Sequence, residues 1–268
     1  MNKQGEASTS CPIVELRRYS LHPGKREALI ALFDRELVET QEECNMAVMA
    51  QFRDIDDPDV FTWLRGFADM DSRKAALTAF YDGPAWITHR DAANATMIDS
   101  DNVRLLRPVN ITSGFEPRGA NRPNVDATST PPGLTVITIY TIVPQARAGF
   151  ADFFDRMIAP EMSASGAPPR ATLETAPYDN TFPRLPVREH EHAFVWFAQF
   201  DDVRAYEGHL AMLRGSREWS GWKHALLREH LCAPVERWRL TRTARSLPLV
   251  SSVRRDSSDQ TSRGQADP

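Results

Sequence analysis

The chain has 268 residues, of which 41% are hydrophobic and 25% charged, and its formal net charge is −4. That balance fits a globular protein of one large domain or two small ones and selects neither nucleic acid nor an anionic membrane as a partner. No apolar run approaches the roughly 20 residues needed to span a bilayer.

The first ten residues, MNKQGEASTS, lack the apolar core of a signal peptide. Residues 1–11 are polar and predict a disordered N-terminus. The alternation of Val14 and Leu16 with Glu15, Arg17 and Tyr19 predicts a strand over 13–21. Pro23 then opens a helix that runs to about Glu43, with Leu29, Leu32, Phe33 and Leu37 on one face. Further strands are expected over 47–53 and 60–67, separated by the turn Asp56-Asp57-Pro58-Asp59. Asp69 is placed to cap a helix over 70–81, Gly83-Pro84 breaks it, and a helical piece covers about 86–95. A short strand over 102–107 completes a β-α-β-β-α-β order, the ferredoxin-like unit. The first unit is therefore bounded at 12–108.

Residues 109–132 carry Gly114, Pro117, Gly119, Pro123, Pro131 and Pro132 without apolar periodicity and read as a linker. The pattern then restarts in a second unit, 133–244. Tyr19, Pro23 and Phe33-Asp34-Arg35 match Tyr140, Pro144 and Phe154-Asp155-Arg156 at a constant offset of 121 positions. Phe61–Phe67 matches Phe194–Phe200 at an offset of 133, so about 12 extra residues lie between, most plausibly in Ala176–His190. Residues 245–268 are rich in Ser, Asp and Arg and predict a disordered tail.

Two such units in one chain can close their sheets into an α/β barrel, as a monomer or within a homodimer. Parity along the strands puts Val14, Leu16, Val48, Ala50, Phe52 and Leu64 on one face and Glu15, Arg17, Tyr19, Met49, Gln51, Arg53, Phe61, Trp63 and Arg65 on the other. The expectation is that the first set faces the helices and the second lines the barrel lumen, together with Tyr140 and Trp196 of the second unit.

The segments E-L-R-R-Y-S-L-H-P-G-K, Q-F-R-D-I-D-D-P-D, W-L-R-G-F and G-P-A-W-I-T-H-R-D-A-A-N-A-T-M-I-D-S-D-N-V-R-L-L-R-P cover nearly all of residues 13–108. Together they resemble the NIPSNAP family of the dimeric α/β-barrel, ferredoxin-like superfamily. The second unit lacks an equivalent of His89–Asn94 and is similar to the first only in its pattern. The resemblance implies the barrel and a pocket, and it brings no single activity. The wider superfamily includes cofactor-free monooxygenases, isomerases, dehydratases and haem enzymes.

The chemistry rests on the charged face. Arg17, Arg53 and Arg65 beside Glu15 and Tyr19 are costly to bury unless paired with each other or with a ligand. A small anionic or phenolic molecule held between arginines, Gln51, Asn94 and the ring of Trp63 is one reading, with His89 or Tyr19 moving a proton and no cofactor. A self-neutralising network in a non-catalytic binding or scaffold protein is the other, and His89 then serves packing. His190 and His192 lack a third metal ligand at useful spacing, and His230 shares a helical face with Trp219, Trp222 and Leu226, which favours packing over haem ligation. Nucleotide-binding and nucleophile-elbow motifs are missing. Cys11, Cys44 and Cys232 form no recognisable pair, which predicts a reducing cytoplasm.

Overall fold

The computed structural model describes residues 11–116 and 121–251. Strand β1 (Ile13–Leu21) leads into helix α1 (Arg26–Leu32), which continues through a π turn at Phe33–Leu37 into α2 (Val38–Glu43). Next come β2 (Ala47–Asp54), β3 (Val60–Phe67), α3 (Met70–Tyr81), α4 (Pro84–Asn94), β4 (Met97–Asp99) and β5 (Val103–Pro108). Asp69 caps α3 as expected, accepting from the Ser72 N–H at 2.6 Å, and Pro84 opens α4 where its missing N–H has no partner to lose. Strand β4, which the sequence pattern does not reveal, pairs only with the end of β1.

Past β6 (Phe115–Glu116), the second half repeats the order. Its elements are β7 (Leu134–Thr141), a 3-10 turn at Pro144–Gly149, α5 (Phe150–Phe153), a π turn at Phe154–Ile158, α6 (Ala159–Ala164), β8 (Ala171–Thr175), β9 (Ala193–Phe200), α7 (Val203–Gly215), α8 (His224–Glu229), β10 (Glu236–Arg242) and β11 (Val250–Ser251). The repeat reaches the strand register. Tyr19 faces Phe61 and Arg17 faces Trp63 in the first half, and Tyr140 faces Phe194 and Thr138 faces Trp196 in the second. Asp202 caps α7 through the Ala205 N–H, as Asp69 does 133 positions earlier.

Eight strands close into an antiparallel barrel in the order β3-β2-β10-β7-β9-β8-β5-β1, with β1 pairing back to β3. The halves join along two edges, β2 with β10 and β5 with β8. The fold is thus two β-α-β-β-α-β halves forming one barrel within one chain.

The assignment of faces is the reverse of the expectation. The lumen holds Val14, Leu16, Ala50, Phe52, Leu64 and Leu106 from the first half and Ile137, Ile139, Leu173, Val195, Phe197 and Leu240 from the second. Glu15, Arg17, Tyr19, Phe61, Trp63 and Arg65 lie instead beneath α1–α4, and Tyr140, Phe194 and Trp196 lie beneath α5–α8. The bulge in β2 exempts two residues from this reversal: Val48 packs with the helices and Met49 with the lumen, as expected. The reason is polarity. An eight-stranded barrel has an interior just wide enough for side chains to fill, and the uniformly apolar parity, Phe52 and Phe197 included, fills it, while Glu15, Arg17 and Arg65 find polar partners under the helices.

Two segments read as unstructured are ordered in part. Cys11 is buried against Gly66, whose missing Cβ leaves room for the Cys11 side chain. Residues 243–249 form a strap rather than a loose tail. Thr243 N–H donates to the Gln51 carbonyl at 3.0 Å, Arg245 bonds to Glu39 and to the Asp34 carbonyl, and Leu249 joins the lumenal core. Arg122 of the linker holds the Arg245 carbonyl at 2.8 Å. The expected disorder at 1–10 and 252–268 lies outside the described residues.

The strap buries Asp34, whose carboxyl is pushed up to about 6 by burial, against the opposing pull of Arg245, Arg122 and Arg53. Folding therefore takes up a proton between the unfolded value near 3.8 and the folded value near 6. This group favours the folded state most below pH 4 and loses that contribution as pH rises through 6. Asp34→Asn is expected to raise stability at pH 7.5 by about 1–2 kcal/mol, discounted for partial solvation, and to match the parent near pH 4. Thermal melts of both proteins across that range check it, and a pH-independent difference would remove Asp34 as the cause.

Candidate functional site

The first half builds its site on one carboxylate. Glu15 is fully buried and meets three arginines: Arg17 Nη1 donates to Oε2 at 2.6 Å, Arg65 Nε to Oε2 at 2.8 Å and Arg73 Nε to Oε1 at 2.7 Å. Arg17 and Arg65 come from neighbouring strands and lie over the Trp63 ring at 5.6 and 5.2 Å. Arg73 reaches down from α3. Burial pushes the Glu15 carboxyl up, but Arg65, Arg17 and Arg73 outweigh it and hold it well below the usual carboxylate range. Three guanidiniums against one carboxylate leave this buried cluster a formal charge of +2. Its other polar neighbours are neutral: Tyr19, Gln41, Asn180 and Thr181.

Beside the cluster lies a cavity of about 30 Å³ lined by Tyr19, Phe33, Trp63, Phe80, Tyr81 and Trp86, with Leu29, Leu37, Gln41, Ala93 and Met97. That volume holds one or two waters. Its polar end is defined by the Tyr19 hydroxyl, which accepts from Arg17 Nε at 2.8 Å, and by Gln41, whose Oε1 accepts from Arg65 Nη1 at 3.2 Å. Burial pushes the Tyr19 phenol up against the pull of Arg17, so it stays protonated at neutral pH and keeps its proton to donate. The indole N–H of Trp63 is buried without a hydrogen-bond partner.

The long β8–β9 connection closes this site from the other half. It runs over 176–192 where β2–β3 takes only 55–59, which accounts for the 12-residue difference in offset. Arg73 Nη1 donates to Asn180 Oδ1 at 3.1 Å and to Thr181 Oγ1 at 3.3 Å, and Phe182 packs 5.9 Å from the Tyr81 ring.

Of the residues singled out from sequence, Glu15, Arg17, Tyr19, Trp63 and Arg65 come together, though outside the barrel. Gln51 is buried on the same face but turns to the strap, its Oε1 accepting from Thr243 at 3.3 Å. Arg53 is paired with Glu27 at 2.6 Å. His89 Nε2 lies 3.4 Å from Glu36 at the outside of α4, and Asn94 is exposed, so neither lines the cavity. Tyr140 and Trp196 line a separate cavity in the second half. Arg73 is the member that the sequence reading missed, although it shares a helical face with Ala76, Leu77 and Phe80. His230 is stacked on Phe153 at 4.2 Å and bonded to the Leu226 carbonyl. Among the described residues, no group of three or more His, Cys, Asp or Glu could hold a metal ion, and no helix is long and apolar enough to cross a membrane.

Both halves, the strand order and the intrachain closure define a dimeric α/β barrel made by one polypeptide. Residues 14–113 match the NIPSNAP family model. Solved structures similar over nearly the full chain include a Fusobacterium nucleatum protein provisionally named a monooxygenase, at 12% identity and TM-score 0.52, covering 90% of this chain and 97% of that one. A Lactobacillus acidophilus protein of the same provisional name is 10% identical with TM-score 0.50, covering 88% and 98%. An anthrone oxidase-like protein is 11% identical with TM-score 0.53, covering 90% and 93%. At these identities the likeness establishes the fold. No curated protein sequence matches the chain.

Proposed function

We propose that the first half binds a small planar phenol or enol in the cavity beneath α1–α4 and stabilises its conjugate base, in cofactor-independent acid/base chemistry. The observation that carries this reading is the buried formal charge of +2 at Glu15, Arg17, Arg65 and Arg73. Uncompensated charge is expensive inside a protein, and an anion arriving at the Tyr19–Gln41 end offsets it. The aromatic walls suit a planar ring. Tyr19 supplies the hydrogen bond to the developing oxyanion while Arg17 holds its oxygen. Lid movement of the 176–192 connection, or of the helices, opens a cavity that is otherwise too small. The name of one structurally similar protein, anthrone oxidase-like, agrees with a ring-bearing substrate.

Titration with 4-nitrophenol below its own pKa tests the proposal. The yellow phenolate is expected to appear on binding, and Tyr19→Phe is expected to weaken binding about tenfold, the value of a hydrogen bond to a charged group. Failure of the phenolate to appear, or equal binding by Tyr19→Phe, would leave the cluster as an internal brace in a non-catalytic protein.

A further inference from the structure

The second half repeats the first site with its cation moved to a different strand. Thr138 occupies the register position of Arg17, facing Trp196 as Arg17 faces Trp63. The strand on the other side reverses the exchange: Arg17 pairs with Val103, and Thr138 pairs with Arg237. Each half therefore keeps a tyrosine (Tyr19 or Tyr140), a tryptophan and an arginine at or beside that tryptophan's strand partner on the helix-facing side of its sheet, the first half adding Arg65.

Arg237 also connects two spaces. It lines a closed cavity of about 20 Å³ that includes Tyr140, Trp196, Tyr206 and His209. It lines equally an open groove of about 490 Å³ with His224, Arg228 and Cys232. Neither Arg237 nor Arg228 forms an ion pair among the described residues. The groove falls within the usual size of small-molecule sites. Inside, His209 is fixed by Ser165, whose hydroxyl lies 2.9 Å from Nδ1. Burial pulls the His209 imidazole below its ordinary value, the Arg237 guanidinium adding to the effect, so the ring stays neutral. Burial pushes the Tyr140 phenol up, so it too is a neutral donor. Nothing in this half corresponds to Glu15, because Val136 stands in its place.

We propose that this groove forms a second binding site, for a small aromatic carboxylate. Its carboxylate sits between Arg237 and Arg228, and its ring lies in the groove against Leu231, Pro234 and Val235. The site differs from the first in presenting a solvent-facing arginine pair rather than a buried, carboxylate-bridged cluster, so it selects a permanent anion rather than a phenol ionised on binding. The inference stands independently of the reading of the first cavity.

Isothermal titration of the full chain with benzoate tests it. One site is expected that survives Tyr19→Phe and weakens at least tenfold in Arg237→Met, an exposed substitution that leaves the fold intact. No benzoate binding, binding indifferent to Arg237→Met, or binding lost in Tyr19→Phe would each overturn the second site. None of these outcomes depends on whether 4-nitrophenol ionises in the first cavity.

Discussion

Glu15→Gln is expected to cost about 3–5 kcal/mol of stability, because it removes the single negative charge from a buried cluster and leaves three guanidiniums facing one another. The glutamine is nearly isosteric, so the loss is electrostatic rather than a packing defect. At this chain length, that corresponds to a fall in melting temperature of about 10 °C. Denaturant titration gives the free energy directly. The same logic predicts that replacing Glu15 together with Arg17, Arg65 and Arg73 by apolar residues of similar volume restores most of the stability while abolishing anion binding. A loss below about 1 kcal/mol for Glu15→Gln would show that water or a counter-ion already screens the cluster.

The second large effect lies in the lumen. Phe197 is 1% exposed, and Phe115 meets its ring edge-on at 4.9 Å. Phe197→Ala is expected to destabilise by about 3–5 kcal/mol, the usual range for a buried phenylalanine whose surroundings relax only partly. The variant's response to 4-nitrophenol should stay unchanged, since the sheet separates the lumen from the cavity under α1–α4. The outcome decides between two views of the barrel. A lumen that holds ligand would tolerate the truncation and gain binding capacity, whereas a lumen that serves as core loses stability and gains none.

The longer strands and helices of the first half were legible from their period and caps, as Asp69 illustrates, whereas the three-residue β4 was not. The duplication was legible from the repeated Phe-Asp-Arg and its fixed offset. The direction of each sheet face was not, because parity separates two sets of residues without saying which lies under helices. A usable signal was present in polarity: Val14, Leu16, Ala50, Phe52 and Leu64 are uniformly apolar and suit a closed lumen, while Glu15, Arg17 and Arg65 need polar partners of the kind Gln41 and Arg73 supply from the helices. Once the faces are exchanged, Glu15, Arg17, Tyr19, Trp63 and Arg65 of the predicted site stay together beneath the helices, while Gln51, Arg53, His89, Asn94, Tyr140 and Trp196 lie elsewhere. His89 misled because a histidine near a charged loop is chemically attractive, yet α4 turns it toward Glu36. Arg73 escaped notice because a charged residue on a helix is ordinarily assigned to solvent, and only its spacing from Ala76, Leu77 and Phe80 reveals the buried face. The strap at 243–249 was obscured by polar composition, although Leu247 and Leu249 are both buried.

The two junctions between halves have a consequence for biosynthesis. Until β8 and β10 exist, β5 and β2 present bare backbone N–H and C=O groups, the kind of edge that recruits other chains. At ribosomal speeds of about 5–20 residues per second, the interval between emergence of β5 and completion of β10 is on the order of ten seconds. During that time a nascent first half can pair with the same half of a neighbouring polypeptide instead of waiting for its own. The speed with which the second half arrives therefore sets how long those two edges stay bare.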